Sequence, residues 1–285
     1  MENAEKTLDK LIGEAENPTN ERTNERTNER TNERTNGKNY VLICGDCLEQ
    51  MKAMSSGEVD VVFTSPPYND SGYTESDKAN KRHFKYEVCE KREDWFEWQI
   101  ECIDEMLRVA KRQVLYNVQP ILNNKADVYR LIGHYADKID NILIWYKPNA
   151  QPQHYPHRIG NFYEMVIIFK GKEFDKLYIN SDGYTNVIVK NINSNKAYCN
   201  KHRALMSETF CSEIIKEFTL PTDIVLDPFM GLATTGICCH KHNRKFVGIE
   251  IYKPYFDIAS ERMADETAQI RLDDWLDQID LTPIG

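Results

Sequence analysis

From Tyr40 onward the apolar residues fall into short unbroken runs, each followed by a longer stretch of mixed character. Tyr40–Cys44 (YVLIC), Val59–Phe63, Val114–Val118, Ile142–Tyr146, Met165–Phe169, Ile224–Leu226 and Phe246–Ile249 are rich in β-branched and aromatic side chains. Runs of this length without polar alternation suit strands buried on both faces of a parallel sheet. Between them the period changes. The span 94–112 places Trp95, Trp98, Cys102, Met106 and Val109 at helical spacing, a stripe expected in the core, and Asp94 with Glu97 is spaced as a capping box. Helices are also predicted over 125–135, 207–218, 234–241 and 254–275. Alternation of strand and helix predicts a doubly wound, mostly parallel α/β sheet. The polar stretch 171–200 breaks the alternation, and both an inserted recognition loop and a plain surface loop fit it.

Residues 19–36 have a different pattern altogether. They read TNERTNERTNERTNERTN, with no apolar residue, and such a stretch cannot add to a core. It reads as a solvated linker or weak helix. The expected organisation is a low-complexity tail over 1–37 and a catalytic domain over 38–285, with 171–200 as the candidate recognition insert. The repeat also has a solution in codons: the tetranucleotide AACG, repeated and read in threes, gives AAC-GAA-CGA-ACG, or Asn-Glu-Arg-Thr. Slippage by one unit would shift the reading frame, so expression would be phase-variable. A duplicated peptide linker is the other reading.

Length and composition narrow the class. A chain of 285 residues holds one large α/β domain or two small ones. No apolar run approaches the roughly 18 residues of a membrane span. The start, MENAEKTLDK, lacks the basic-then-apolar order of a signal peptide, so a cytoplasmic protein is expected. Eight cysteines suit a reducing compartment. Cys44-Gly45-Asp46-Cys47 has zinc-like spacing and Cys238-Cys239-His240 offers further ligands, but no second C-x-x-C pair exists, and no metal is expected. The net charge of −9 is concentrated near the C-terminus, where eight acids face two arginines after Pro254. Basic clusters stand at Lys78–Arg92 and Lys241–Lys245. A local basic face can hold phosphate on an acidic protein; solvated surface charge accounts for each cluster equally well.

Two stretches carry chemistry. Where the strand Val59–Phe63 ends, the chain runs into Thr64-Ser65-Pro66-Pro67-Tyr68. Two prolines stiffen the exit and an aromatic ring follows. The second stretch, Asp227-Pro228-Phe229-Met230-Gly231-Leu232-Ala233-Thr234-Thr235-Gly236, leaves one strand and opens a helix. A small-residue turn there lets a ligand approach the backbone and the helix N-terminus. The next strand ends in Glu250, an acid placed to grip ribose hydroxyls. Asp46, at the tip of another strand, can accept from an adenine amino group or simply form a turn. Together they point to an adenosine-containing cofactor.

TSPPY, together with LDPFMG, TTG and VGIE, resembles the S-adenosylmethionine-dependent DNA amino-methyltransferases that make N4-methylcytosine or N6-methyladenine. The catalytic motif precedes the cofactor loop, which resembles their permuted β class and argues against methyltransferases of RNA or protein. Trp145-Tyr146-Lys147-Pro148 and Glu164–Gly171 are similar to later segments of the catalytic half. The resemblance implies a Rossmann-like, seven-stranded sheet, S-adenosylmethionine as cofactor, and double-stranded DNA with base flipping as substrate. It implies Ser65, Pro66, Pro67 and Tyr68 as catalytic residues, and Asp46, Asp227, Phe229, Gly231, Ala233, Thr234, Thr235 and Glu250 around the cofactor. Lys78, Lys81, Arg82, Lys85, His154, His157 and Arg158 are the candidate DNA contacts. A homodimer and a cognate restriction endonuclease are the further partners it leaves open. Ser65 favours cytosine N4, with adenine N6 as the alternative. Ala233 departs from the family, which commonly has Gly there; Ala tolerates positive φ poorly, and a cofactor-binding protein without catalysis is the remaining reading.

The resemblance gives the prolines a role. The lone pair of an exocyclic amine is delocalised into its ring, so the enzyme must extrude the base at a cost of a few kcal/mol and aim that lone pair at a methyl group. Carbonyls near Ser65 and Pro66 can accept from the amine, the prolines limit their motion, and the Tyr68 ring can stack on the base.

Overall fold

The structure is a computed structural model, and it describes residues 33–69, 92–150, 159–192 and 205–277. One nine-stranded sheet runs through it, in the order β1-β2-β9-β8-β3-β4-β6-β5-β7. The strands are β1 Glu33–Gly37, β2 Tyr40–Cys44, β3 Val59–Thr64, β4 Ala110–Val118, β5 Ile139–Tyr146, β6 Tyr163–Lys170, β7 Val187–Val189, β8 Ile224–Asp227 and β9 Lys245–Glu250. All seven apolar runs of the sequence are strands, and β1 and β7 add an edge on either side. The helices are α1 Cys47–Ala53, α2 Trp95–Val109, α3 Lys125–His134, α4 Glu208–Phe218, α5 Thr234–Lys241 and α6 Lys253–Asp277.

Side chains alternate across the sheet and feed two cores. Val41, Ile43, Val62 and Val114 meet Met51 of α1, Trp95 and Met106 of α2 and Leu131 of α3 on one face. Leu42, Val61, Phe63 and Val225 meet Phe210 and Ile214 of α4, Ile237 of α5 and Phe256 of α6 on the other. Each such side chain contributes about 1.5–3 kcal/mol on burial, so the two-sided central strands, not helix propensity, hold the layers together.

Two local expectations fail. The helix expected through Arg112 ends at Val109, because Ala110 turns extended (φ −80°, ψ 128°) and pairs with Val59. The capping box does not form: the Asp94 carboxylate takes two bonds from the Arg92 guanidinium (3.0 and 2.9 Å) and none from the helix.

The domain boundary expected after residue 37 moves upstream. Glu33–Gly37, the last copy of the repeat and its following glycine, lies antiparallel on β2, with Gly37 opposite Tyr40 and Glu33 opposite Cys44. An edge strand needs backbone pairing and one face on the protein, not an apolar run. Ser260 Oγ donates to Thr35 Oγ1 at 3.3 Å, and Lys253 pairs with Glu33 at 2.9 Å, both from α6. The stretch after Gly171 is likewise built into the domain. Gln113 donates to the Tyr178 carbonyl (3.3 Å) and accepts from its N–H (3.1 Å). Leu177, Ile179 and Tyr184 pack on the core, and β7 pairs in parallel with β5. Residues 193–200 lie outside the described part.

The chain moves from β3 to β4 in one direction across the sheet and from β8 to β9 in the other, while β3 and β8 lie side by side in parallel. Such a reversal opens a crevice at the carboxyl ends of the strands. Among the described residues no helix is long and apolar enough to cross a membrane.

Candidate active site

The crevice is floored by the loop that leaves β3. Thr64 is the last residue of β3, and 65–68 leave from its carboxyl end. The loop is tied down from α2. Trp95, 1% exposed, donates its indole N–H to the Pro67 carbonyl at 2.9 Å. Asn69 sits in the left-handed region (φ 58°), as Asn tolerates, and closes a pair with Arg92, whose N–H donates to Oδ1 (2.8 Å) while Nδ2 donates to its carbonyl (3.1 Å). Proline rings inside the loop and these bonds outside it leave the loop preorganised.

Across the β3/β8 boundary stands the second loop. Asp227 is 3% exposed, and its carboxylate is engaged within the protein. Its Oδ1 accepts from Thr64 Oγ1 (2.6 Å) and from Phe229 N–H (3.1 Å), and its Oδ2 from Thr235 Oγ1 (2.7 Å). It is a brace between the end of β3 and the loop after β8, and burial raises its carboxyl to about 6. Thr234 and Thr235 are also turned inward. Thr235 is spent on Asp227, and Thr234 Oγ1 accepts from Arg262 at 3.1 Å. The turn itself is kept despite the alanine: Gly231 (φ 52°) and Ala233 (φ 57°) are both left-handed, and the Ala233 methyl is fully buried.

Asp46, Phe229 and Glu250 are the predicted cofactor residues whose side chains keep exposed surface. Glu250 ends β9. Its Oε2 accepts from Gly231 N–H (3.0 Å) and its Oε1 from Tyr252 N–H (2.8 Å), which holds the carboxylate in line with the loop and leaves a lone pair on each oxygen. Some of its surface is open to the crevice, yet the protein around it shields it enough to raise its carboxyl to about 7, desolvation outweighing the two backbone bonds. Asp46 caps α1 through Oδ1, which accepts from Leu48 and Glu49 N–H (3.0 and 3.1 Å); the sequence shows the acid but not the seven-residue helix it starts. Phe229 stands edge-on to Trp98 (5.7 Å between rings). Trp98, expected in the core, is half-buried here, with the Arg92 guanidinium over its ring at 4.6 Å. Two carboxylates with spare lone pairs beside an aromatic edge match an adenosine group, with hydroxyl and amino donors around an apolar ring.

Three residues absent from the expected site complete it. Glu164 at the start of β6, Asn117 near the end of β4 and Lys147 just after β5 meet beneath Ser65 and Tyr68. Tyr68 OH donates to Glu164 Oε2 (2.9 Å), Asn117 Nδ2 donates to the same oxygen (2.6 Å), and Lys147 Nζ donates to Oε1 (2.8 Å). Ser65 Oγ lies 2.8 Å from Tyr68 OH. Burial and the neighbouring Glu164 charge push the Tyr68 phenol well above its ordinary range, so it stays protonated. The sequence signal was a charge at the tip of an otherwise apolar run, YEMVIIF at one end and ILIWYK at the other.

The candidate DNA contacts Lys78, Lys81, Arg82, Lys85, His154, His157 and Arg158 lie outside the described residues. Among the described residues no group of three or more His, Cys, Asp or Glu side chains is arranged to hold a metal ion.

A family model described as DNA methylase matches residues 59–261. The chain is 25% identical over 252 residues to the type II methyltransferase M.HinfI of Haemophilus influenzae, covering 79% of this chain and 68% of that one. It is 32% identical over 138 residues to the type II methyltransferase M.Cfr9I of Citrobacter freundii, covering 45% of each. Its fold superposes on that of the PvuII DNA methyltransferase, described as cytosine-N4-specific, with a TM-score of 0.60 at 17% identity, covering 82% of this chain and 93% of that one. The M1.HpyAVI–SAM complex gives 0.53 at 24% identity, covering 78% and 98%.

Proposed function

The chain belongs to the DNA methylase family that its residues 59–261 match, and from that premise we propose that it methylates the exocyclic amine of a base flipped out of double-stranded DNA, cytosine N4 before adenine N6. The observation that carries this reading is the Thr64–Asp227 bond at 2.6 Å. It ties the exit of β3 to the loop after β8 across the reversal point, which supports a crevice shared by the SPPY loop and Glu250.

S-adenosylmethionine, when bound, supplies an electrophilic methyl on a sulfonium sulfur. Glu250 and Asp46 would hold its ribose hydroxyls and adenine amino group, with Phe229 against the ring. The protein's own part is orientation. The backbone of Ser65 and Pro66 accepts from the amine, turning its lone pair out of conjugation, and the proline-stiffened loop fixes the angle. Preorganised acceptors of this kind serve the transition state because they need no rearrangement as charge develops.

Ser65, where an acid would favour adenine, supports cytosine N4, and so does the printed specificity of the PvuII enzyme whose fold it shares. The type II names of the relatives support a restriction–modification setting with a cognate endonuclease. The basic segment 78–92 supplies phosphate contacts, and the segment 171–200, with a second copy of the chain to extend it, supplies sequence readout. The TNER repeat, with its unique AACG solution, supports phase-variable expression; synonymous codons scattered through the gene's tract would exclude it.

Expression in a methylation-free host followed by methylome sequencing tests the reading. One short motif carrying N4-methylcytosine is expected. N6-methyladenine at a motif would overturn the choice of base, and unmodified DNA beside methylated RNA or protein would overturn the substrate class.

A further inference from the structure

We propose that Glu164 is a positioning residue that, acting through Tyr68, fixes the Ser65 hydroxyl as a hydrogen-bond acceptor toward the target amine. The proposal rests on the methyltransferase reading above and adds to it the group that sets the polarity of its key side chain.

The direction of each hydrogen bond in the cluster is forced. A carboxylate only accepts. Glu164 receives Lys147 Nζ on Oε1 and both Asn117 Nδ2 and Tyr68 OH on Oε2. The side chains of Lys147 and Glu164 are 8% and 12% exposed, so water competes little for the pair. Tyr68 has one hydroxyl hydrogen, and Glu164 takes it. In the 2.8 Å contact between Ser65 Oγ and Tyr68 OH the hydrogen must then come from Ser65. One Asn117 Nδ2 hydrogen goes to Glu164, and the other is shared between Ser65 Oγ at 3.3 Å and Tyr68 OH at 3.2 Å.

The Asn117 amide has no freedom to turn round. Its Oδ1 is buried without a partner among the described residues, at a cost of about 1–3 kcal/mol. Flipping the amide would leave that cost in place of a charge-assisted bond and set Oδ1 against a carboxylate oxygen at 2.6 Å. Charge therefore dictates the chain from its inner end: ammonium to carboxylate, phenol to carboxylate, serine to phenol. What Ser65 has left to offer the crevice is a lone pair.

An amine N–H satisfies that lone pair, whereas a carbonyl oxygen in its place faces an acceptor with nothing to give. The site would thus reject the oxo counterpart of its base. Rejection of an analogue that leaves such a group unpaired is worth about tenfold or more.

The experiment uses the full chain and a DNA duplex bearing the motif that methylome sequencing returns. A second duplex has oxygen in place of the target amine. Binding of both is measured by fluorescence anisotropy with saturating S-adenosylhomocysteine. The wild type is expected to prefer the amine duplex by about tenfold or more. In Tyr68→Phe the Ser65 hydroxyl is free to rotate, and in Glu164→Gln an amide can donate to the phenol and reverse the chain. Both variants are expected to cut the preference by about threefold or more with S-adenosylmethionine affinity close to wild type, while Glu164→Gln, which leaves Lys147 without its carboxylate, is expected to melt at a lower temperature. A merely structural role would weaken both duplexes alike and leave the ratio unchanged, and that result overturns the proposal. Should both variants misfold, Ser65→Ala decides: the preference must fall there too, the backbone acceptors keeping only part of it, and a ratio unchanged from wild type overturns the proposal. Loss of the methyltransferase reading itself is seen separately, as an unmodified methylome.

Discussion

Glu250 meets two demands that pull its ionisation in opposite directions. Folding shields it and raises its carboxyl to about 7, while ribose hydroxyls bind best to the ionised form. The sign for the free protein follows: a folded-state value raised above the unfolded one contributes stability that is complete below about 4.5 and is lost as pH rises through about 7. For the complex the direction reverses. Affinity for S-adenosylmethionine, taken relative to Glu250→Gln, is expected to rise from pH 5.5 toward pH 7.5 and then level, and calorimetry near pH 6 in two buffers should record a proton released on binding. A flat ratio would remove Glu250 from the cofactor's contacts. Ala233 shows a different balance. Its left-handed backbone costs about 1–2 kcal/mol, whereas its buried methyl contributes about 0.8 kcal/mol and glycine would add chain entropy to the unfolded state. Ala233→Gly is therefore expected to shift stability by less than about 1 kcal/mol, as denaturant titration would show. The individual residues Ser65, Tyr68 and Glu250 were legible because each sits in a short spaced motif. Asn117 was not, and Glu164 was marked only as the start of a family-like segment, since only the β4–β6 register, with Asn117 opposite Val166, brings them under a tyrosine 96 residues from Glu164 in the chain.

Elements succeeded or failed by how they are buried. Strands covered on both faces announce themselves as apolar runs, and β2, β3, β8 and β9 are of that kind. Edge strands carry no such mark: β1 is ERTNG, and in β7 Val187 and Val189 are exposed while Ile188 alone is buried. A helix boundary went wrong where a tertiary partner won over a local one, as pairing with Val59 of β3 does at Ala110. Asp227, expected in the cofactor loop, also ties β3 to that loop through its carboxylate. Asp227→Ala would strand the Thr64 and Thr235 hydroxyls together with the Phe229 N–H, and unsatisfied buried groups cost about 1–3 kcal/mol each. We expect a destabilisation of about 2–4 kcal/mol in chemical denaturation, with cofactor affinity and turnover falling together. Loss of cofactor binding at unchanged stability would make Asp227 a direct ligand instead.

At the scale of the molecule, alternation of strand and helix was enough to place both motifs at one crevice, because parallel strands in a doubly wound sheet present their carboxyl ends on the same side. It could not show where the domain starts, since the repeat has no core signal and β1 is held by backbone pairing and two contacts from α6. Two internal deletions separate the halves of the tract. Removing 19–30 is expected to leave the thermal midpoint within about 1 °C. Removing 19–37 strips the sheet of its edge, and each kcal/mol lost lowers the midpoint by about 2–4 °C for a chain of this size; equal midpoints would mean that β1 contributes nothing.

Because every copy spells the same four residues, the segment abutting Gly37 is Glu-Arg-Thr-Asn whether the tract holds two copies or twenty. Were the tract to lengthen or shorten in whole peptide units, the strand laid on β2 would keep the same four residues, and the fold beside it would stay the same.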